Sequence, residues 1–233
     1  MNVYAFAPLI CASCMLLAAI SAFTVGVKNI KRLGNIKLIL ILPLLEILFC
    51  LALALTTILL RTGIVTNNES HTTYRNLTYL YSESFNILEF IIISAFINKN
   101  LTHRKFQLLH KGLSLIVGIF LLWYLLRPNI DSKILSSSYA VSAVALTFGL
   151  MAFFISVVRD DTYIFYQTDP NFLIASGFFI QFSTSFPTLL LLQHLNYSES
   201  RLSNYSQAIN YAAYTCYFYF IYKGFICQIE QTN

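Results

Sequence analysis

The chain is dominated by seven long apolar stretches separated by short polar ones: Tyr4–Val27, Leu38–Leu60, Leu77–Ile97, Gly112–Leu126, Tyr139–Val158, Phe172–Leu192 and Ala208–Ile226. A helix crossing a bilayer needs about 20 mostly apolar residues, with a range of roughly 17–25. Six of the stretches meet that length. The fourth, GLSLIVGIFLLWYLL, is short but uncharged, and the preceding Phe106–Leu109 could lengthen it by a turn. Membrane barrels are built from strands of about ten residues that alternate polar and apolar positions. These runs are continuous, longer, and rich in leucine and isoleucine, so helices are expected. Charge agrees: only 11% of residues are charged and 57% are hydrophobic, against about 25% and roughly 45–50% for an average soluble domain. The expected fold is an all-α membrane protein, a seven-helix transmembrane bundle forming one domain over residues 1–233. No connecting segment is long enough for a second core; even the longest, Arg61–Asn76, falls far below the roughly 40 residues an independent core needs.

Orientation is read from lysine and arginine counts beside the segment ends. With the N-terminus outside, ten of these residues fall on the inner side and five on the outer side. KNIKRLGNIK, between the first two segments, is the most strongly basic connection. The expectation is therefore N-terminus outside and C-terminus inside. The second half is less marked, because RDDTYIFYQTDPN carries one arginine and three aspartates. The first apolar run lacks the preceding basic residues of a signal peptide, so it reads as a retained helix.

Chemistry-bearing residues are few. Cys11, Cys14, Cys50, Cys216 and Cys227 lie within or at the end of apolar runs, where thiols behave as small hydrophobes. The Cys11–Cys14 spacing lacks the βαβ context of a redox motif. His71, His103, His110 and His194 fall in expected loops, none with a second ligand at metal-binding spacing. His103 and His110 share their connection with Arg104, Lys105 and Lys111, which suit anionic lipid headgroups. No catalytic residue, metal or cofactor is expected, and no nucleic acid, because the inner connections already account for the net charge of +5.

Polar groups at membrane depth are the informative residues, because burying them is costly and they usually face the bundle interior. They are Glu46 in the second run, Glu83 and Glu89 in the third, and Gln181 in the sixth. No lysine or arginine lies well inside any run to pair with them. At about 1.5 Å rise per residue, Glu46, Glu89, Gln181 and Tyr219 all lie roughly 10–14 Å from the inner boundary. One shared polar layer is thus expected. The third helix carries Tyr79, Ser82, Asn86 and Glu89 on one face, with Glu83 bordering it, and Ile93 ends the stripe. The sixth carries Gly177, Gln181, Ser185 and Thr188 on one side. The seventh is expected to present Tyr211, Thr215, Tyr219 and Tyr222, although Tyr214 and Tyr217 lie off that face. The candidate ligand-binding or polar-core residues are Glu46, Glu83, Asn86, Glu89, Gln181 and Tyr219. The competing account is that such groups only bond helix to helix.

SFNILEFIIISAFINKNLTHRKFQ, with Asn86 and Glu89 leading into Arg104 and Lys105, resembles a pattern of uncharacterised small seven-helix integral membrane proteins of bacteria. These are similar to the membrane part of sensor regions. The resemblance implies a bacterial cytoplasmic-membrane location and a sensor-like bundle, with no activity to carry over. Three functions are consistent with the residues. The first is a sensor or receptor-like bundle that binds a small or lipophilic ligand between helices and acts through a cytoplasmic partner at the basic inner loops. The second is a small transporter or proton-coupled carrier using the carboxyls. The third is a structural or interaction protein of the lipid bilayer. A membrane hydrolase finds little support, because the chain has no G-x-S-x-G and no H-E-x-x-H.

Overall fold

The structure, a computed structural model, describes residues 7–61, 68–126, 132–159, 168–194 and 200–232. Among the described residues it contains seven α-helices: α1 Ala7–Lys28, α2 Ile41–Arg61, α3 Asn68–Asn100, α4 Arg104–Leu125, α5 Ser132–Arg159, α6 Pro170–His194 and α7 Ser200–Gln231. A 3-10 helix, Gly34–Leu40, runs directly into α2. Among the described residues, four helical segments are long and apolar enough to cross a membrane: Ala7–Lys28, Gly34–Ala52, Arg104–Leu125 and Ser138–Arg159.

The helices α3 to α7 are longer than the apolar runs that announce them. α3 has 33 residues, roughly 50 Å at the usual rise, against a hydrocarbon core of about 30 Å. The fourth segment is the clearest correction. Its helix begins at Arg104, not Gly112, so RKFQLLHK forms its first two turns and brings it to 22 residues. Charged residues flanking an apolar run obscure a helix start when hydropathy is the only guide, because the backbone bonds of a helix do not depend on polarity.

The packing follows small residues. α1 buries Met15, Ala19, Ala22 and Gly26, spaced 4, 3 and 4 on one face. That face lies along α7. Small side chains let two backbones approach closely, which is how helices gain contact where lipid removes the hydrophobic drive. α7 also packs along α6, α6 against α5, and α5 against α3 and α4. Because α2 touches both α1 and α3, the contacts close a ring of six helices with α4 outside it.

α4 has the amphipathy of a peripheral helix turned inside out. It buries His110, Val117, Leu121 and Tyr124 and exposes Leu108, Leu109, Leu115, Ile116, Ile119, Leu122 and Trp123. His110 is therefore no loop residue; it is buried against Gly149 of α5. The 3-10 helix shows its own period. Its three residues per turn place Leu33, Ile36, Ile39 and Leu42 on one line, and all four are buried. Gly34, at φ +50°, makes the left-handed turn that starts it.

One end of the bundle gathers the C-terminal end of α1, the 3-10 helix, the end of α3 and the starts of α4 and α6, with the end of α7. We call this the basic end, for Lys28, Lys31, Arg32, Lys37, Lys99, Arg104, Lys105, Lys111 and Lys223. Gln231 of α7 donates to the Thr168 carbonyl ahead of α6 at 2.8 Å, and Gln107 of α4 to the Asn98 carbonyl of α3 at 2.9 Å. The side chains of Arg61, Arg75, Arg127, Lys133 and Arg201, which enter the orientation argument from the other end, lie outside the described residues, as do those of Tyr79, His71 and His194.

Candidate functional site

α3 supplies the backbone of the site. Glu83, Asn86, Glu89 and Ile93 recur every three or four residues, and all four are buried. Each polar member meets a different partner because the face looks toward several helices. Ser138 of α5 donates to Glu83 Oε1 at 2.7 Å. Ser142, one turn further along α5, donates to Asn86 Oδ1 at 2.8 Å. The two pairs advance together because α3 and α5 run in the same direction. Deeper along α3, the Tyr217 hydroxyl of α7 donates to Glu89 Oε1 at 3.2 Å.

A second set of polar groups lies beside this one. Gln181 of α6, fully buried, donates to Ser185 at 2.9 Å and to the Tyr139 hydroxyl at 3.4 Å. Ser185 in turn donates to Asn210 Oδ1 of α7 at 2.8 Å. The hydroxyls of Tyr139 and Tyr214 are 3.1 Å apart. The rings of Tyr214 and Tyr217 meet edge to face with centroids 5.8 Å apart, an arrangement aromatic pairs favour. Contacts thus run from Glu89 through Tyr217, Tyr214 and Tyr139 to Gln181, Ser185 and Asn210. They join α3, α5, α6 and α7.

Glu46 on α2 is buried, and its Oε1 accepts from the Cys50 thiol one turn on, at 3.8 Å. It lies within electrostatic reach of Glu89, Tyr214 and Tyr217. The carboxyls of α2 and α3 therefore share a region of the interior that holds phenols and amides and, among the described residues, no lysine or arginine.

Tyr219 is the exception among the candidate residues. It is 49% exposed and sits below Lys223, whose ammonium is 5.8 Å from its ring centroid. Tyr217 occupies the inward position instead. The reason lies in how α7 is rotated. Gly177 of α6 brings its backbone so close that a Cβ there would lie 3.0 Å from the Tyr217 carbonyl oxygen. Gly26 of α1 faces Phe225, and Gly224 faces Pro170 and Ile174. These contacts turn Ala213, Tyr217, Phe218, Ile221 and Phe225 inward. A tyrosine-rich helix has hydroxyls all round, so polarity alone does not select a face. Sequence reasoning also missed Ser138, Ser142, Tyr139 and Asn210. The serines are spaced by four, the one signal that could have found them.

The site has unmet bonding capacity. Glu89 Oε2 and Gln181 Oε1 are buried and have no hydrogen-bond partner among the described residues, whereas Glu83 and Asn86, one turn apart on α3, can bond each other. Most buried polar groups in folded proteins are paired, and leaving one unpaired costs about 1–3 kcal/mol. Groups of three or more histidine, cysteine, aspartate or glutamate side chains able to hold a metal are absent among the described residues.

The Glu89–Tyr217 bond can be weighed directly. A double-mutant cycle with Glu89→Leu and Tyr217→Phe is expected to give a coupling of about 0.6 kcal/mol, with about 1.7 kcal/mol as a ceiling for such contacts in a membrane. Unfolding of the purified chain in mixed detergent would measure it. A coupling of zero would mean that the 3.2 Å contact holds nothing together.

Fold and site together define a class, an all-helical protein with segments long and apolar enough to cross a membrane and with buried polar groups between its helices. Comparison with known proteins gave no matching family, no matching curated protein and no matching solved structure.

Proposed function

We propose that the chain is a seven-span integral membrane protein acting as a sensor or receptor-like module, binding a small polar or lipophilic ligand in its interior. The observation that carries this reading is the pair of buried oxygens on α3 and α6, Glu89 Oε2 and Gln181 Oε1, that have no hydrogen-bond partner among the described residues. Helix-to-helix bonding alone would be better served by groups whose bonds are all made. An acceptor-rich interior left partly open suits a ligand that brings its own donors, such as a hydroxyl or an ammonium.

In this reading the remaining helices cross the bilayer with the four most apolar ones, since α3 and α7 owe their lower apolarity to the polar stripes they turn inward. The basic end faces the cytoplasm under the positive-inside tendency, which places the N-terminus outside and the C-terminus inside. Ligand binding would be passed to a partner docked on that end. A bacterial cytoplasmic membrane is the location that the sequence resemblance supports.

Accessibility of position 89 tests the reading. In a background with all five cysteines replaced, Glu89→Cys is expected to react with a membrane-impermeant thiol reagent from one side. Ile91→Cys is expected to stay silent, since Ile91 is exposed on the lipid side of α3. Silence at 89 from both sides, with Ser142→Cys silent too, would leave helix-to-helix bonding as the better account.

One observation favours a second reading, a proton-coupled carrier. Glu46 and Glu89 lie within reach of each other's charge, and intramembrane carboxyl pairs of this type mark proton paths. Liposomes holding the chain would then dissipate an imposed pH gradient, and Glu89→Gln would abolish that flux. Equal rates for the two proteins would sink the carrier.

A further inference from the structure

A separate cavity of about 350 Å³ opens at the basic end, between the 3-10 helix, the last turns of α3, the first turn of α6 and the last turns of α7. Its volume is at the lower end of the range for small-molecule sites, about 300–1,000 Å³. Its walls are of two kinds. Ile36, Ile39 and Phe96 line it and are buried, forming an apolar inner wall. Asn35, Lys99, Asn100, Asn171 and Gln228 line it from less buried positions and form a polar rim.

The rim has one charge, the Lys99 ammonium. Three of the rim side chains are amides with donors to spare. Asn100 spends its Nδ2 on the Phe96 carbonyl at 2.9 Å, whereas no hydrogen bond is made by the side-chain amides of Asn35, Asn171 or Gln228 among the described residues. The positive end of α6 starts at Pro170, beside Asn171, and a helix start favours negative charge. Asp169 and Glu230 are the acidic neighbours; Asp169 Oδ1 already accepts the Asn171 amide at 2.9 Å, and neither lines the cavity. Lys31, Arg32 and Lys37 flank the same mouth in sequence. The chemistry is that of an anion held at the rim with an apolar arm directed inward.

We propose that this cavity binds an anionic amphiphile, with an oxyacid headgroup on Lys99 and the rim amides and the first methylenes of its chain along Ile36, Ile39 and Phe96. The site is independent of the Glu89 region, from which it shares no lining residue. A phospholipid headgroup and a free oxyanion would offer the same charge, and only the former uses the inner wall.

Native mass spectrometry of the full chain in neutral detergent, titrated with phosphatidylglycerol, phosphatidylcholine or inorganic phosphate, separates the cases. Phosphatidylglycerol is expected to bind in preference to phosphatidylcholine. Lys99→Gln is expected to weaken it by about tenfold, the scale of one charged hydrogen bond. Lys111→Gln, which removes an exposed charge away from the cavity, should leave it unchanged. Ala95→Trp, which fills the cavity and keeps Lys99, is expected to abolish binding. Equal binding of the two lipids, or equal losses for Lys99→Gln and Lys111→Gln, would overturn the proposal. Binding of inorganic phosphate that Ala95→Trp leaves intact would overturn it as well, by assigning the rim to a free anion.

Discussion

Gly177→Leu is expected to destabilise the bundle by about 3 kcal/mol, the upper part of the usual range for overpacking. The argument rests on what a side chain there would meet. A Cβ alone would lie 2.8 Å from the Cβ of Phe220 and 3.0 Å from the Tyr217 carbonyl oxygen. Neither is the free end of a flexible side chain, so neither can swing aside. Leucine would have to push α7 away from α6 along one of the most intimate contacts in the molecule. The same displacement would draw the Tyr217 hydroxyl from Glu89, so accessibility at position 89 should change along with stability. Gly118→Leu is the control, because no atom lies within 4 Å of a Cβ at that position; it should be neutral. Unfolding in mixed detergent, followed by far-UV circular dichroism, would give both values. Similar values for the two variants would mean that α6 and α7 are not held as closely as Gly177 implies.

Phe178→Ala should be more damaging, with a loss of about 3–5 kcal/mol, the usual cost of truncating a buried aromatic to alanine. Phe178 is fully buried. Its ring meets Phe96 of α3 edge to face at 5.5 Å and Tyr217 of α7 at 5.3 Å. It is therefore a wedge among three helices, placed directly beside the phenol that reaches Glu89. Truncation leaves an empty volume that none of the three can fill without moving, and the lost dispersion contacts have no substitute. Leu115→Ala, on the exposed side of α4, should fall within about 0.5 kcal/mol of the parent. A loss below about 1 kcal/mol for Phe178→Ala would show that the interior collapses readily around the gap. In that case the spacing of the polar groups on α3, α6 and α7 is not set by this ring.

The two variants differ in kind, and the difference bears on the site. Gly177 holds two backbones together and so sets the rotation of α7. Phe178 packs between α3 and α7 from α6 and so sets how far apart these three helices stand beside Glu89 and Gln181. A binding site with unpartnered oxygens needs both, because collapse would let Glu89 Oε2 and Gln181 Oε1 find protein partners.

Much of this was legible in the sequence. Apolar runs of bilayer length dictate helices, since in lipid the backbone must satisfy its own hydrogen bonds. The inward face of α3 was legible for the same type of reason: Asn86, Glu89 and Ile93 repeat at helical spacing amid apolar residues, and isolated polar groups in an apolar run avoid lipid. Glu46 and Gln181 stand out in the same way. α4 was harder, because its first two turns are basic and carry His110, which only the notch at Gly149 shows to be buried.

What the sequence by itself determined was helix, approximate number of helices, and the polar residues that cannot face hydrocarbon. What only the tertiary structure decided was rotation and partnership. α7 has tyrosines at 211, 214, 217, 219 and 222, so every face of it offers a hydroxyl, and no period singles out one. The choice of Tyr217 over Tyr219 is made by close packing on two sides of α7, with Gly177 and Gly224 at the contact with α6 and Gly26 at the contact with α1. Close packing between helices depends on shape at both surfaces at once, and one strand of sequence carries the shape of only one.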